Sequence, residues 1–165
     1  MNNILIFLFI PFLIASEFSI SETGDVFCNF EEVYSNSQTQ QGFLMIKKNK
    51  VRYEYKKHNL YTIFVNQDQF TLVQNFDKDT KHLIKPSDEL FEIALDLMKK
   101  YPAKLQDYKN YNYEIQFEKS KKFDFYKRIS IKSINYNLSI FFFDCSNSKI
   151  EDKYFNLDPI VEIRS

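Results

Sequence analysis

The sequence predicts an α+β domain: a large, curved antiparallel sheet that carries one helical insertion. Three observations predict it. Short apolar stretches bounded by polar turns follow one another closely through most of the 165 residues. One stretch after Pro86 instead repeats its apolar residues at helical spacing. The run Leu138-Ser139-Ile140-Phe141-Phe142-Phe143 is apolar on both sides of a strand, with Leu138, Ile140 and Phe142 facing one way and Phe141 and Phe143 the other.

Taken in order, residues 26–33 alternate loosely, with Val26, Cys28 and Phe30 on one side and Phe27 and Asn29 on the other. Residues 43–46 and 51–55 are short strands joined by Lys47-Lys48-Asn49-Lys50, where Asn49 suits a positive φ. Residues 60–65 and 70–75 flank the turn Asn66-Gln67-Asp68-Gln69, and 81–84 adds another short strand. Pro86 then suits a first helical position, with Ser87, Asp88 and Glu89 at the positive helix end. Leu90, Ile93, Ala94, Leu97, Met98 and Tyr101 form one apolar stripe, Lys99 and Lys100 close the helix and Pro102 stops it. A second short helix includes Leu105 and Tyr108, after which strands resume over 111–117, 123–134, 138–143 and 149–157.

Two apolar faces on one strand both need cover. A helix over 87–100 is roughly 21 Å long and cannot cover both faces of a sheet of about eight strands. A curled sheet hides one face inside itself, and that interior is either filled or hollow.

The N-terminus reads as a signal peptide occupying residues 1–21, with the mature domain at 22–165. Ile4 to Ala15 is almost wholly apolar, but a spanning helix needs about 20 such residues. Cleavage after Ser16, or after Ser21 with Ser19 at the minus-three position, suits a peptidase that selects small residues. No Lys or Arg precedes Lys47, so the positive charge ahead of the apolar run is the terminal amine alone; an uncleaved anchor is the alternative. Either way the domain is translocated.

Composition excludes several function classes. Lys+Arg and Asp+Glu both number 22, which gives no basic bias towards nucleic acid. Two Gly residues leave no glycine-rich phosphate loop. The bias is aromatic, with 18 Phe, 11 Tyr and no Trp, and it favours strands. Cys28 and Cys145 either form a disulfide in an oxidising compartment or remain two buried thiols on separate strands; neither has a second cysteine near it for zinc or redox chemistry.

No constellation for catalysis emerges. His58 and His82 sit in polar settings without a nucleophile motif. Glu31 and Glu32 are strand neighbours and point to opposite faces, so they form no dyad; Asp88 and Glu89 read as helix N-terminal charge. Asp77-Lys78-Asp79 lacks the glycine and distal glutamate of a calcium loop. The sequence indicates neither an enzyme, nor a cofactor, nor a metal site.

From Gln41 to Tyr55 the chain reads Q-G-F-L-M-I-K-K-N-K-V-R-Y-E-Y. This resembles the opening hairpin of the periplasmic outer-membrane lipoprotein carrier family (LolA-like proteins), through Gly42, Leu44, Ile46, Lys47, Lys48, Val51, Arg52, Tyr53 and Tyr55. Phe76-Asp77 looks like the aromatic-Asp step after the next hairpin, and Phe155 with Asp158-Pro159 looks like the closing strand. The resemblance implies an unclosed β-barrel whose apolar hollow, lidded by helices, accepts the acyl chains of a lipoprotein. It implies three partners: acylated lipoprotein cargo, an inner-membrane lipoprotein-releasing transporter and an outer-membrane receptor. A monomer working in the periplasm, without nucleic acid, is expected. The chain departs from the pattern at Tyr53, where the family has Trp, at Lys48, where it commonly has Arg, and at Gln67-Asp68-Gln69, in place of an Asp-Gly turn. The family's N-terminal helix has no counterpart in residues 17–25.

Exposing an acyl chain of about 16 carbons to water costs on the order of 12 kcal/mol at about 0.8 kcal/mol per CH₂, and a Phe-rich sheet offers a matching apolar area. The expected lining is Val51, Tyr53, Tyr55, Phe64, Leu72, Ile140 and Phe142, closed by Leu90, Ile93 and Leu97 in the lid. Lys48 and Arg52 are the expected polar contacts to the lid or to a head group. The competing expectation is an exported structural or interaction domain, tethered to the membrane through an uncleaved N-terminus, with a filled core and no ligand cavity.

Overall fold

The computed structural model of the chain describes residues 24–66, 69–76, 81–84, 106–122, 125–134 and 137–157. Ten strands form one antiparallel sheet: β1 (Val26–Tyr34), β2 (Thr39–Lys47), β3 (Lys50–Tyr55), β4 (Tyr61–Asn66), β5 (Gln69–Gln74), β6 (Lys81–Ile84), β7 (Tyr108–Lys109), β8 (Tyr113–Lys119), β9 (Tyr126–Ser133) and β10 (Asn137–Ser146). Their order is β6-β5-β4-β3-β2-β1-β10-β9-β8-β7, so β1 lies centrally and joins two meanders. The sheet is unclosed, because β6 and β7 are its two edges.

The expected α+β class with a helical lid does not hold. Among the described residues the only helical piece is a 3-10 turn, Asp152–Phe155. The stripe over 87–100, including Leu90, Ile93 and Leu97, lies outside the described residues, as does the expected signal segment 1–21. Tyr108, expected in a short helix, belongs to β7. Physically, a twisted open sheet of about ten strands curls. It can therefore bury one face without a helical layer.

Registers show how the sequence builds that face. Val26, Cys28 and Phe30 on β1 pair with Ile46, Leu44 and Gly42 on β2, which pair with Val51, Tyr53 and Tyr55 on β3. Beyond them stand Val65 and Ile63 on β4, then Phe70 and Leu72 on β5. On the other side of β1, Phe142, Ile140 and Leu138 on β10 share the face with Ile129 and Ile131 on β9 and Phe117 and Ile115 on β8. The face is apolar across eight strands, and both buried clusters of the core lie on it. Gly42 makes room there: a Cβ on it would sit 2.3 Å from the Phe30 ring and 2.0 Å from the Glu54 carbonyl oxygen.

The segment 149–157, expected as a strand, is instead a strap across the opposite face. Its polar groups are taken by side chains rather than by a ladder. Lys47 Nζ donates to the Ile150 carbonyl at 2.6 Å, Arg52 Nη1 to the Tyr154 carbonyl at 3.0 Å, and the Ile150 amide to Asp25 Oδ2 at 2.9 Å. Lys50 Nζ adds an ion pair to Asp152 at 3.0 Å. The strap begins just beyond the disulfide between Cys28 and Cys145, whose Cα atoms are 4.1 Å apart. A bulge in β10 makes that bond feasible. Asp144 takes a positive φ of 49°, and the β1–β10 register shifts between Phe27 and Asn29. The extra residue reverses the alternation after Phe142, turning Cys145 towards the face of Cys28.

In the β2–β3 turn the positive φ falls on Lys48 (53°), not on Asn49 as expected.

Candidate functional site

The apolar face grades from packed to accessible. At its centre Val26, Cys28 and Phe30 are fully buried. On the β4–β5 flank, Tyr61, Ile63 and Leu72 are only half-buried, and on the opposite flank so are Phe117, Ile129 and Ile140. Six large apolar or aromatic side chains on the protected face therefore retain accessible surface.

An aromatic cluster surrounds a carboxylate on this face, that of Glu32. Phe30 stacks on Tyr53 with ring centroids 4.0 Å apart and meets Tyr55 edge-on at 5.6 Å; Tyr55 meets Tyr61 edge-on at 5.2 Å. Glu32 continues the β1 series Val26, Cys28, Phe30 and is 3% exposed. Its Oε1 accepts from Tyr53 Oη at 2.6 Å and Tyr55 Oη at 3.0 Å, and its Oε2 accepts from Tyr34 Oη at 2.6 Å. Burial, and then the Glu32 charge, push the Tyr53 and Tyr55 phenols above the usual tyrosine range. Tyr61 moves the same way, partly offset by its hydrogen bond with Tyr55. These phenols are thereby held as neutral donors.

Val51, Tyr53, Tyr55, Leu72, Ile140 and Phe142 do share this face. Phe64 does not, because it pairs with Arg52 on the other face. Arg52 is 1% exposed there: its Nε donates to Glu54 Oε2 at 2.8 Å, its Nη2 donates to the same oxygen, and its guanidinium lies 5.4 Å from the Phe43 ring centroid and 5.6 Å from that of Phe64. Its donors go to Glu54 and the strap, so Arg52 is a tie for residues 147–157 in this structure. Lys48 sits exposed in its turn. Sequence reasoning passed over Glu32, Tyr34, Tyr61 and Ile63. Strict alternation from Phe30 was the available signal for Glu32 and Tyr34.

The opposite face carries its own apolar row. Phe141 is 36% and Phe143 41% exposed, and Arg128 sits 6.0 Å from the Phe141 ring centroid. Among the described residues no three His, Cys, Asp or Glu side chains gather as a metal ion would require.

No family model matches the sequence, and no curated protein does. Among solved structures the chain is similar to a LolA superfamily protein of Nitrosomonas europaea, at 7% sequence identity and a TM-score of 0.48, over 80% of this chain and 90% of that one.

Proposed function

We propose that this chain is a carrier rather than an enzyme, shielding the acyl chains of a lipoprotein on the apolar face of its sheet. One observation carries the reading. Tyr61, Ile63 and Leu72 on one flank, with Phe117, Ile129 and Ile140 on the other, combine membership of a protected face with surface left over for contact. Burying apolar surface gains about 25 cal/mol per Å², so an accessible apolar flank is a standing site for an apolar guest.

The finer reading follows the resemblance of the Gln41–Tyr55 hairpin to the lipoprotein carriers. On that reading residues 1–21 direct export, and the domain at 22–165 works in the periplasm as a monomer. It takes acylated cargo from an inner-membrane lipoprotein-releasing transporter and passes it to an outer-membrane receptor. The disulfide between Cys28 and Cys145 is compatible with an oxidising compartment.

Capture of a lipoprotein by the purified full-length protein tests this. An acylated lipoprotein is expected to co-purify, and the same lipoprotein with its acylated cysteine replaced is expected to wash away. Equal capture of both, or of neither, overturns the proposal.

A further inference from the structure

The Glu32 cluster sits on the proposed cargo face, yet nothing in the acyl-carrier reading requires a buried carboxylate there. An ionised carboxylate removed from water is costly unless its acceptor sites are filled and its charge is met. A carboxylate offers about four lone-pair sites. Three are filled by Tyr34, Tyr53 and Tyr55. All three donors are neutral, and among the described residues no Lys, Arg or His pairs with Glu32. One site on Oε2 and the whole negative charge are left over.

A second observation falls at the same place. Gln40 is the β2 partner of Glu32 and so stands beside it on the same face. Its Oε1 is buried and accepts no hydrogen bond among the described residues. Glu32 Oε2 thus keeps one acceptor site beyond its bond from Tyr34 and lacks a counter-charge, and Gln40 Oε1 beside it has no donor. Both wants are met by one group, a cation that carries N–H donors. Around Glu32, the rings of Phe30, Tyr53, Tyr55 and Tyr61 pack against one another and keep the site dry. The half-buried Ile140, partner of Glu32 on β10, and Ile63, partner of Tyr53 on β4, continue the apolar surface away from the cluster.

We propose that Glu32 and Gln40 receive the primary ammonium group of an amphiphile whose hydrocarbon chain lies on the apolar face. The proposal rests on the carrier reading and narrows its guest to one with a cationic nitrogen at the head. A quaternary ammonium satisfies the charge but donates no hydrogen bond. An alcohol donates one but brings no charge.

Titration calorimetry on the full-length protein, below micelle-forming concentrations, separates the possibilities with dodecylammonium, dodecyltrimethylammonium and dodecanol. The expected result is dodecylammonium bound at least tenfold tighter than dodecanol, with the trimethyl compound between them. Glu32→Gln is expected to erase that preference. Should the variant fail to fold, the comparison of the three ligands on the unaltered chain decides alone. Dodecylammonium and dodecanol binding equally overturns this inference and leaves the carrier reading standing. The trimethyl compound matching the primary amine overturns the role of Gln40 and of hydrogen bonding. A preference that survives Glu32→Gln overturns the assignment to Glu32. Failure of all three to bind overturns the carrier reading and this inference together.

Discussion

Raising the pH tests the tyrosine–glutamate cluster without altering the chain. Tyr53 and Tyr55 are neutral donors to Glu32, and burial together with that carboxylate raises both phenols above the unfolded value of about 10. Below that pH both states hold their protons and the cluster contributes fully. Above it the unfolded chain releases protons that the native chain keeps, so stability falls as pH rises. Between about pH 9 and about pH 11 each such phenol loses about 1.4 kcal/mol, and the two together lose about 2.7 kcal/mol. With a urea dependence of about 1–3 kcal/mol per M, the unfolding midpoint moves down by about 1–3 M. The assay is urea unfolding of the intact protein and of Tyr53→Phe/Tyr55→Phe at both pH values. The double variant starts lower, because Glu32 has lost two donors, but its pH slope is expected to be shallower by that same 2.7 kcal/mol. Equal slopes refute the reasoning, as does tyrosinate absorbance showing both phenols ionised near pH 10 in the folded protein.

Three further predictions follow. Replacing Cys28 and Cys145 with Ser opens a loop with a sequence separation of 117 residues, and a loss of about 4–5 kcal/mol in urea unfolding is expected on the chain-entropy model. Arg52→Met removes one partner of the buried pair with Glu54 and unties the strap, lowering stability by about 3–5 kcal/mol, whereas Arg52→Met/Glu54→Leu recovers part of that loss, as measured by thermal unfolding. Ile63→Arg puts a charge on the apolar face and is expected to lower binding of a fluorescent fatty acid at least tenfold, while Phe141→Arg on the opposite face leaves it within about twofold.

Much of the sheet was legible because period-two alternation and turn chemistry are local. The strand pair on either side of Lys48-Asn49, the turn between Asn66 and Gln69, and the two-sided character of Leu138 to Phe143 all follow from neighbouring residues. What was not legible depended on contacts distant in sequence. The connection 56–60 sets which side chains of β4 join the face of β3; one residue more or less exchanges Ile63 with Phe64. The bulge at Asp144 has no marker such as glycine, yet it decides whether Cys145 can reach Cys28. Residues 149–157 have strand-like composition, but Lys47, Arg52 and Asp25 take up their backbone groups in place of a ladder. Glu32 was set aside because it makes no dyad with Glu31. Its partners are three phenols from two other positions of the sheet and its own strand, which no spacing rule reveals.

The most direct measurement concerns which face of the sheet meets the guest. An acyl chain carrying a nitroxide near its end, added to isotope-labelled protein, broadens the nuclear magnetic resonance signals of side chains close to it. The account predicts broadening at Ile63, Leu72, Ile129 and Ile140, with Val33 and Met45 on the other face left sharp. Broadening confined to the opposite face around Phe141 and Phe143, or none on either, contradicts it.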